Sequence, residues 1–186
     1  MEKISYVALL RGINVGGKNN IKMNELKKIF EEMNLSDVQT YIQSGNVLFN
    51  CFEKDKMKLV KKIEKKIFET LNTEIKISLF TLSEMNEIIK KKPDKYGEEN
   101  EKYKYDIVFL IEPLTAKEAI KEMQPREGVD EIYEGNGIIY FRRLKEKISK
   151  TYLTKIIGMP MYKYMTIRNW NTTEKLYELM EKNNIK

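Results

Sequence analysis

The residues best suited to chemistry follow the first strand pattern of the chain. The apolar run YVALL at 6–10 leads directly into RGINVGGK at 11–18, which combines three glycines with Arg11, Asn14 and Lys18. Glycines let the backbone bend and let its N–H groups approach a ligand closely, and cations attract negative charge. The segment therefore predicts an anion-binding loop in which Arg11 and Lys18 supply the charge.

The same loop fits the pattern GxxxxGK, the phosphate loop of nucleotide hydrolases, at 12–18. Asn19 stands where that motif needs a magnesium-binding hydroxyl, and helical periodicity begins only near Met23. The strands that follow read as a hairpin, whereas the hydrolase fold needs a parallel sheet. We therefore interpret the match as coincidental, with a looser phosphate contact through the glycines and Lys18 left open.

Hydrophobic periodicity divides the chain into two halves with the same order of elements. In the first half the predicted strands are 4–10, 38–42, 47–49 and 75–79, and the predicted helices are 23–34 and 55–72. In the second half the strands are 104–112, 131–133, 138–141 and 164–168, and the helices are 114–124 and 149–157. A further helix follows each half, marked by Thr81 with Glu84 and by Asn171 with Glu174, at capping spacing.

This order predicts an α+β fold, a tandem duplication of two ferredoxin-like (βαββαβ) units with antiparallel sheets and helices, each followed by an extra helix. The predicted domains are 1–94 and 103–186, joined by a polar linker. Strand 4–10 is apolar on both faces, so we expect a second buried face, covered by the extra helices or by the other half.

The ferredoxin-like plan predicts the sheet order 4-1-3-2, which brings two motifs together. The end of the first strand lies beside the turn QSGN at 43–46, so this turn and the loop 11–18 should share one sheet edge. Their cations, amides, hydroxyl and glycine N–H groups suit phosphate, carboxylate or a nucleic-acid backbone. Alternatively, the glycines serve turn geometry, and Asn14 and Ser44 satisfy loop backbone. The second half carries only EPL at 112–114 at the equivalent place, so any such site is expected in the first half alone.

A third segment, RNWNT at 168–172, joins the last strand to the last helix and contains the single tryptophan. Asn171 is the predicted N-cap of that helix. Arg168 stacked on Trp170 would form a cation–π pair; alternatively, either residue faces a base or a sugar.

Composition excludes several chemistries. The chain has no histidine and one cysteine, Cys51, so His-dependent nucleophiles, His or thiolate metal sites and an internal disulfide are excluded. We expect no metal, no cofactor, no membrane partner and a cytoplasmic location. The net charge of +6 rests on 29 lysines and five arginines, which indicates a solvated, lysine-rich surface that includes one face of helix 55–72.

Three segments, RGINVGG at 11–17, QTYIQSGNV at 39–47 and RNWNT at 168–172, resemble a bacterial family called domain of unknown function 1697. The resemblance spans essentially the whole chain and keeps the motifs in order. It implies a duplicated ferredoxin-like protein with no established activity, and it marks the three segments as signature regions. The approach MPMY at 159–162 is less typical of the family.

The leading hypothesis is a cytoplasmic protein that binds a small anionic ligand of the phosphate or nucleotide type. The alternatives are nucleic-acid binding through basic loops and lysine-rich helices, a His-independent enzyme using Lys18, Tyr41 or a carboxylate, and an oligomeric interaction module. The oligomeric state is left open. The predicted ligand-binding residues are Arg11, Gly12, Asn14, Gly16, Gly17, Lys18, Gln43, Ser44, Gly45, Asn46, Arg168, Asn169 and Trp170.

Overall fold

The structure is a computed structural model that describes residues 2–14 and 20–184. Its Cα positions group into two compact units, which we call the first unit (residues up to 85 together with those from 176) and the second unit (86–175). The domain limits 1–94 and 103–186 concern the repeats along the sequence. These limits stay a prediction.

The first unit is built on a four-stranded antiparallel sheet. Its elements are β1 (Ile4–Leu10), α1 (Met23–Glu31), β2 (Ser36–Tyr41), β3 (Asn46–Cys51), α2 (Lys56–Leu71) and β4 (Ile77–Thr81). The strand order is β2-β3-β1-β4, with every neighbouring pair antiparallel. This is the predicted order 4-1-3-2 read from the other edge.

The second unit repeats the same topology. Its elements are β5 (Tyr103–Leu110), α4 (Ala116–Glu122), β6 (Asp130–Gly135), β7 (Ile138–Leu144), α5 (Leu153–Ile156) and β8 (Met165–Asn169), in the sheet order β6-β7-β5-β8. A further helix follows each sheet, α3 (Leu82–Lys90) after β4 and α6 (Trp170–Asn184) after β8. The structure confirms the predicted α+β fold of two ferredoxin-like units, each followed by a helix.

The core of the first unit lies between its sheet and the helices α1 and α2. Tyr6, Ala8 and Leu10 share one face of β1 and belong to one apolar cluster with residues of both helices. Val7 and Leu9, on the opposite face, are fully buried as well. The expected second buried face of β1 is therefore present.

The helix predicted at 149–157 is wrong in its length. A 3-10 segment, Lys145–Lys150, precedes the four-residue helix α5, and Thr151 between them is extended, with φ −59° and ψ 143°. The hydroxyl of Thr151 and the N–H of Tyr152 both donate to the buried carboxylate of Asp130. This tertiary polar contact competes with helix hydrogen bonding and breaks the helix.

The predicted N-cap of the last helix is corrected by two positions. Strand β8 continues to Asn169, which pairs with Asp106 of β5, and α6 begins immediately afterwards. The Asn169 Oδ1 accepts the N–H of Thr172 at 2.8 Å, so Asn169 is the cap and Asn171 is not. The other predicted cap is confirmed, since Thr81 Oγ1 accepts the N–H of Glu84 at 3.2 Å.

Tyr96 anchors the segment between α3 and β5 in the second unit. Its side chain is 1% exposed, and its hydroxyl donates to the Asp106 carbonyl at 2.8 Å and accepts the N–H of Phe141 at 3.2 Å. Its ring contacts the rings of Tyr140 and Trp170 edge-on, with centroids 5.3 and 5.2 Å away. The polar stretch after α3 thus contributes a core residue.

Candidate anion-binding edge of the first sheet

The loop after β1 and the turn between β2 and β3 lie side by side. The Leu10 N–H donates to the Gly45 carbonyl at 2.8 Å, and the Asn14 side chain donates to the Gln43 carbonyl at 2.8 Å. The juxtaposition predicted from the ferredoxin-like plan is therefore present. Three of the predicted ligand-binding residues, Gly16, Gly17 and Lys18, lie outside the described residues.

Asn14 closes the base of the loop. It adopts a left-handed backbone with φ 53°. Its Oδ1 accepts the Ile21 N–H at 2.8 Å, and its Nδ2 donates to the carbonyls of Ile21 at 3.0 Å and Gln43 at 2.8 Å. Both amide hydrogens are thus used. The Asn14 side chain satisfies backbone groups of the loop, which is the alternative role expected for it from the sequence.

The turn is held by a close glycine contact. Gly45 has φ 72°, and a Cβ placed on it would lie 2.4 Å from Ile13 Cδ1 and 3.0 Å from Leu10 Cβ. Only glycine fits this approach without displacing its neighbours. Ile13 is buried beneath the turn. The loop and the turn therefore pack as one structural piece.

Asn46 shapes the same turn from inside. It is fully buried at the start of β3, and its Nδ2 donates to the Tyr41 carbonyl and to Ser44 Oγ, both at 3.0 Å. These bonds fix the position of the Ser44 hydroxyl at the surface. Asn46 thereby supports the turn and orients Ser44.

Several residues of the loop and the turn are accessible to solvent at this edge. Gly12 and Gln43 are exposed, and Arg11 and Ser44 are half-buried. Gly12 has φ 69°, and a Cβ added to it would meet nothing within 4 Å, so the space beside its backbone is open. The exposed Gly12 backbone therefore lies next to the half-buried Arg11.

The two segments that meet carry no carboxylate. Residues 11–22 include Arg11, Lys18 and Lys22, and neither 11–22 nor 42–48 contains Asp or Glu. The Arg11 N–H donates to the Lys76 carbonyl at 2.9 Å, which ties the loop to the chain just before β4.

A carboxylate of α2, Glu64, is engaged next to this region. Glu64 Oε2 pairs with Lys76 Nζ at 3.3 Å, and its Oε1 accepts the Ile77 N–H at 3.0 Å. Glu64 is thus committed to Lys76 and to the β4 backbone, and the two segments themselves contain cations and no acidic residue.

Arg168 is buried in the second unit. Its Nη1 donates to Thr166 Oγ1 at 3.0 Å and to the Ile167 carbonyl at 2.9 Å. Burial lowers the pKa of its guanidinium to about 10, which still leaves it charged at neutral pH. Both acceptors belong to β8, the strand that carries Arg168.

Trp170 is a core residue of the second unit. It is 2% exposed, and the cation over its ring is Lys92, with Nζ 5.8 Å from the centroid. A Cβ on Gly97 would lie 2.4 Å from its Nε1, so the indole is also closely covered there. The buried ring leaves no face on which a base or sugar can stack, and Asn169 serves as the helix cap.

The equivalent edge of the second unit carries a cleft and a different set of charges. The Leu110 N–H donates to the Gly137 carbonyl at 3.0 Å, which repeats the bond between Leu10 and Gly45. A cleft of about 570 Å³ opens at this edge. Its charged lining residues are Glu87, Lys91, Glu112, Lys117 and Glu134. Sequence reasoning named only the segment 112–114 there and did not predict the cleft.

A buried ion pair in the second unit was not predicted either. Arg143 Nε donates to Asp106 Oδ2 at 3.0 Å, Nη2 contacts the same oxygen, and both side chains are buried. The detectable signal was a charged residue, Asp106, inside the apolar run of β5. The pair lies inside the unit, where each charge is neutralised by its partner.

Cys51 is buried at the end of β3, with Sγ 3.9 Å from the Glu53 carbonyl. Burial raises the pKa of its thiol, which keeps it protonated and weakly nucleophilic.

Several lysines of α2 are paired with carboxylates. Lys58 Nζ lies 2.8 Å from Glu53, and Lys66 Nζ lies 2.9 Å from Glu32. These pairs reduce the charge that the helix offers to phosphates.

Residues 2–14 and 20–184 contain neither a metal-ligand cluster nor a membrane-spanning helix. No three His, Cys, Asp or Glu side chains among them are grouped as metal ligands would be. None of the helices formed by these residues has the length and apolar character needed to cross a bilayer.

Comparison with known proteins places the chain in a family. The family model described as "Protein of unknown function (DUF1697)" matches residues 4–140, which include the loop after β1 and the turn between β2 and β3. The solved structure of conserved bacterial protein SP0830 from Streptococcus pneumoniae is 28% identical, with a TM-score of 0.85 over 96% of this chain and 99% of that chain. No curated protein matches. The chain therefore belongs to the DUF1697 family, as its sequence motifs predicted.

Proposed function

We propose that this protein binds a small anionic ligand, of the phosphate or nucleotide type, at the edge formed by the loop after β1 and the β2–β3 turn. The observation that carries the proposal is the meeting of two segments without a carboxylate beside an open main chain at Gly12. A guanidinium next to a glycine that lets a ligand come close to the main chain is a common arrangement for binding phosphate oxygens.

Each residue of the edge has its own role in the proposed binding of the anion. Arg11 supplies charge and a planar set of donors, and the Gly12 backbone allows close approach. Gln43 and Ser44 supply neutral donors that orient the ligand. Asn14 and Asn46 hold this arrangement through their bonds to the backbone. Lys18, outside the described residues, adds a further cation.

The contacts that join residues 10–14 to the turn support the proposal. The loop and turn are joined by the Leu10 to Gly45 bond, the Asn14 to Gln43 bond and the contact of Ile13 with Gly45. A preorganised set of donors loses little conformational entropy when a ligand binds.

Calorimetric titration tests the proposal with inorganic phosphate, pyrophosphate and ribose 5-phosphate as probes. Arg11→Gln removes the charge and should weaken binding about 10- to 100-fold, since a hydrogen bond to a charged group contributes about 1.5–3 kcal/mol. The matched control is Arg126→Gln, an exposed arginine of the second unit, which should leave the affinity unchanged. Failure of every probe to bind, or equal losses in both variants, would refute the proposal.

A further inference from the structure

Ile42, in the β2–β3 turn, has an unusual backbone for its residue type. Its φ is +48°, in the left-handed region that a β-branched residue rarely enters. The other non-glycine residues with positive φ in 2–14 and 20–184 are asparagines, an aspartate and a lysine. Asn and Asp tolerate this backbone because their short polar side chains bond locally. Isoleucine has no such compensation.

Burial does not compensate the strain either. The Ile42 side chain is 48% exposed, so much of its apolar surface faces water. A residue that is both strained and exposed adds little to the stability of the fold. Strain of this kind is typical of functional positions, where it holds a side chain in the arrangement that a ligand needs.

The position of Ile42 connects it to the proposed anion site. It directly precedes Gln43, whose carbonyl accepts the Asn14 side chain at 2.8 Å. It stands two positions before the half-buried Ser44. The turn therefore carries an exposed apolar side chain next to the polar groups proposed to orient the anion.

We infer that the ligand of this edge joins an anionic group to a flat apolar group, the class to which nucleoside monophosphates belong. This inference rests on the proposed function. The anionic group binds at Arg11 and Gly12, and the apolar group packs on Ile42. Contact with a ring removes the exposed part of the Ile42 side chain from water. Burial of this apolar surface contributes favourable free energy to ligand binding.

The test compares AMP with ribose 5-phosphate, which has the phosphate and the sugar but no base. Calorimetry on the full chain should show AMP binding at least about tenfold more tightly. Ile42→Asn places a residue that tolerates left-handed backbone at the turn. It should raise the Tm of the unliganded protein and reduce AMP affinity to that of ribose 5-phosphate, whose own affinity should not change.

Two further variants complete the design. Ile42→Val keeps the β-branched apolar side chain and should keep most of the preference for AMP. Ile157→Asn replaces an isoleucine that is 58% exposed in the second unit and should change neither affinity.

The outcomes separate the inference from the proposed function. Equal, Arg11-dependent binding of AMP and ribose 5-phosphate would overturn the inference and leave the anion site standing. Tighter binding of a ten-residue oligodeoxyadenylate than of AMP would overturn it in favour of nucleic acid. Absence of binding by AMP, ribose 5-phosphate and inorganic phosphate alike would overturn both.

Discussion

The side chain of Asn14 bonds to the backbone of Gln43, 29 positions further along the chain, at 2.8 Å. The same amide also bonds to both backbone groups of Ile21, so one side chain closes the loop and fastens it to the turn. The shape of the proposed site therefore depends on Asn14, although the Asn14 side chain forms its hydrogen bonds with the protein backbone and not with a ligand.

Replacing Asn14 by glycine should destabilise the first unit. Glycine accepts the left-handed backbone, so the change isolates the three side-chain hydrogen bonds, whose loss should cost about 1–3 kcal/mol. Urea unfolding followed by circular dichroism measures the difference. Asn34→Gly is the control, because Asn34 has a similar φ of 59° in the segment after α1 and should be close to neutral. Equal effects of the two changes would contradict the role given to Asn14.

Alanine at Gly45 should be more harmful than alanine at Gly12. Both glycines have left-handed backbones, with φ 72° and 69°, so each substitution costs about 1–2 kcal/mol in backbone conformation. At Gly45 the new Cβ also meets Ile13 Cδ1 at 2.4 Å, whereas at Gly12 it meets nothing within 4 Å. The clash should add about 1–3 kcal/mol. Thermal and urea unfolding of the two variants measure the difference. Equal losses of stability would show that the turn moves to accommodate the new Cβ at no cost.

Removing one partner of the buried pair between Asp106 and Arg143 should destabilise the second unit strongly. Asp106→Asn leaves a buried guanidinium without its countercharge, and losses of about 3–5 kcal/mol are typical of such changes. The exposed pair of Lys65 and Glu69, 3.6 Å apart, is the control, and Glu69→Gln should cost less than about 0.5 kcal/mol. A double change of Asp106→Leu with Arg143→Met should recover much of the loss measured by urea unfolding. If it does not, the pair contributes more than charge neutralisation.

Stability should fall as the pH rises above about 10. Burial, with a smaller contribution from Glu87, raises the pKa of Tyr140 to about 12, and burial likewise raises the pKa of Tyr6 to about 12. An unfolded tyrosine titrates near 10, so between about pH 10 and 12 the unfolded chain loses protons that the folded chain keeps. The contribution is therefore complete below pH 10 and is lost as the pH rises through 12. Urea unfolding at pH 9, 10 and 11 measures this slope.

Tyr140→Phe identifies the part of that slope due to one residue. The change removes a hydroxyl that donates to the Ile88 carbonyl at 2.8 Å, so it should cost about 1 kcal/mol at pH 8. It should also make the alkaline loss of stability shallower. An unchanged slope would assign the alkaline sensitivity to other tyrosines.

Much of the fold could be predicted because hydrophobic periodicity is a local property of the sequence. The order of the elements that it identifies then indicates the topology. The continuous apolar pattern of β1 and β3 identified the central strands, and the ferredoxin-like plan then placed the loop after β1 beside the β2–β3 turn. The cap at Thr81 was equally visible, since it depends on the spacing to Glu84.

What could not be predicted depends on contacts between distant positions. The helix predicted at 149–157 is interrupted because Asp130, from another strand, takes the hydrogen bonds of Thr151 and Tyr152. The cap at Asn169 follows from where β8 stops pairing with β5, and no local signal separates it from Asn171.

The division of roles within the site was hidden for the same reason. Asn14, Ser44 and Asn46 are polar residues in turns, and their sequence context does not say which of them bond to the protein. The positive φ of Ile42 was unpredictable because isoleucine favours the opposite region.

Tyr96 has a consequence for any attempt to separate the two repeats. Its hydroxyl joins β5 to β7, and its ring covers those of Tyr140 and Trp170. A fragment that starts at residue 103 would keep every strand of its sheet but would lack this residue. Water would then reach two large aromatic rings, and such a fragment should aggregate where one retaining Tyr96 remains dispersed.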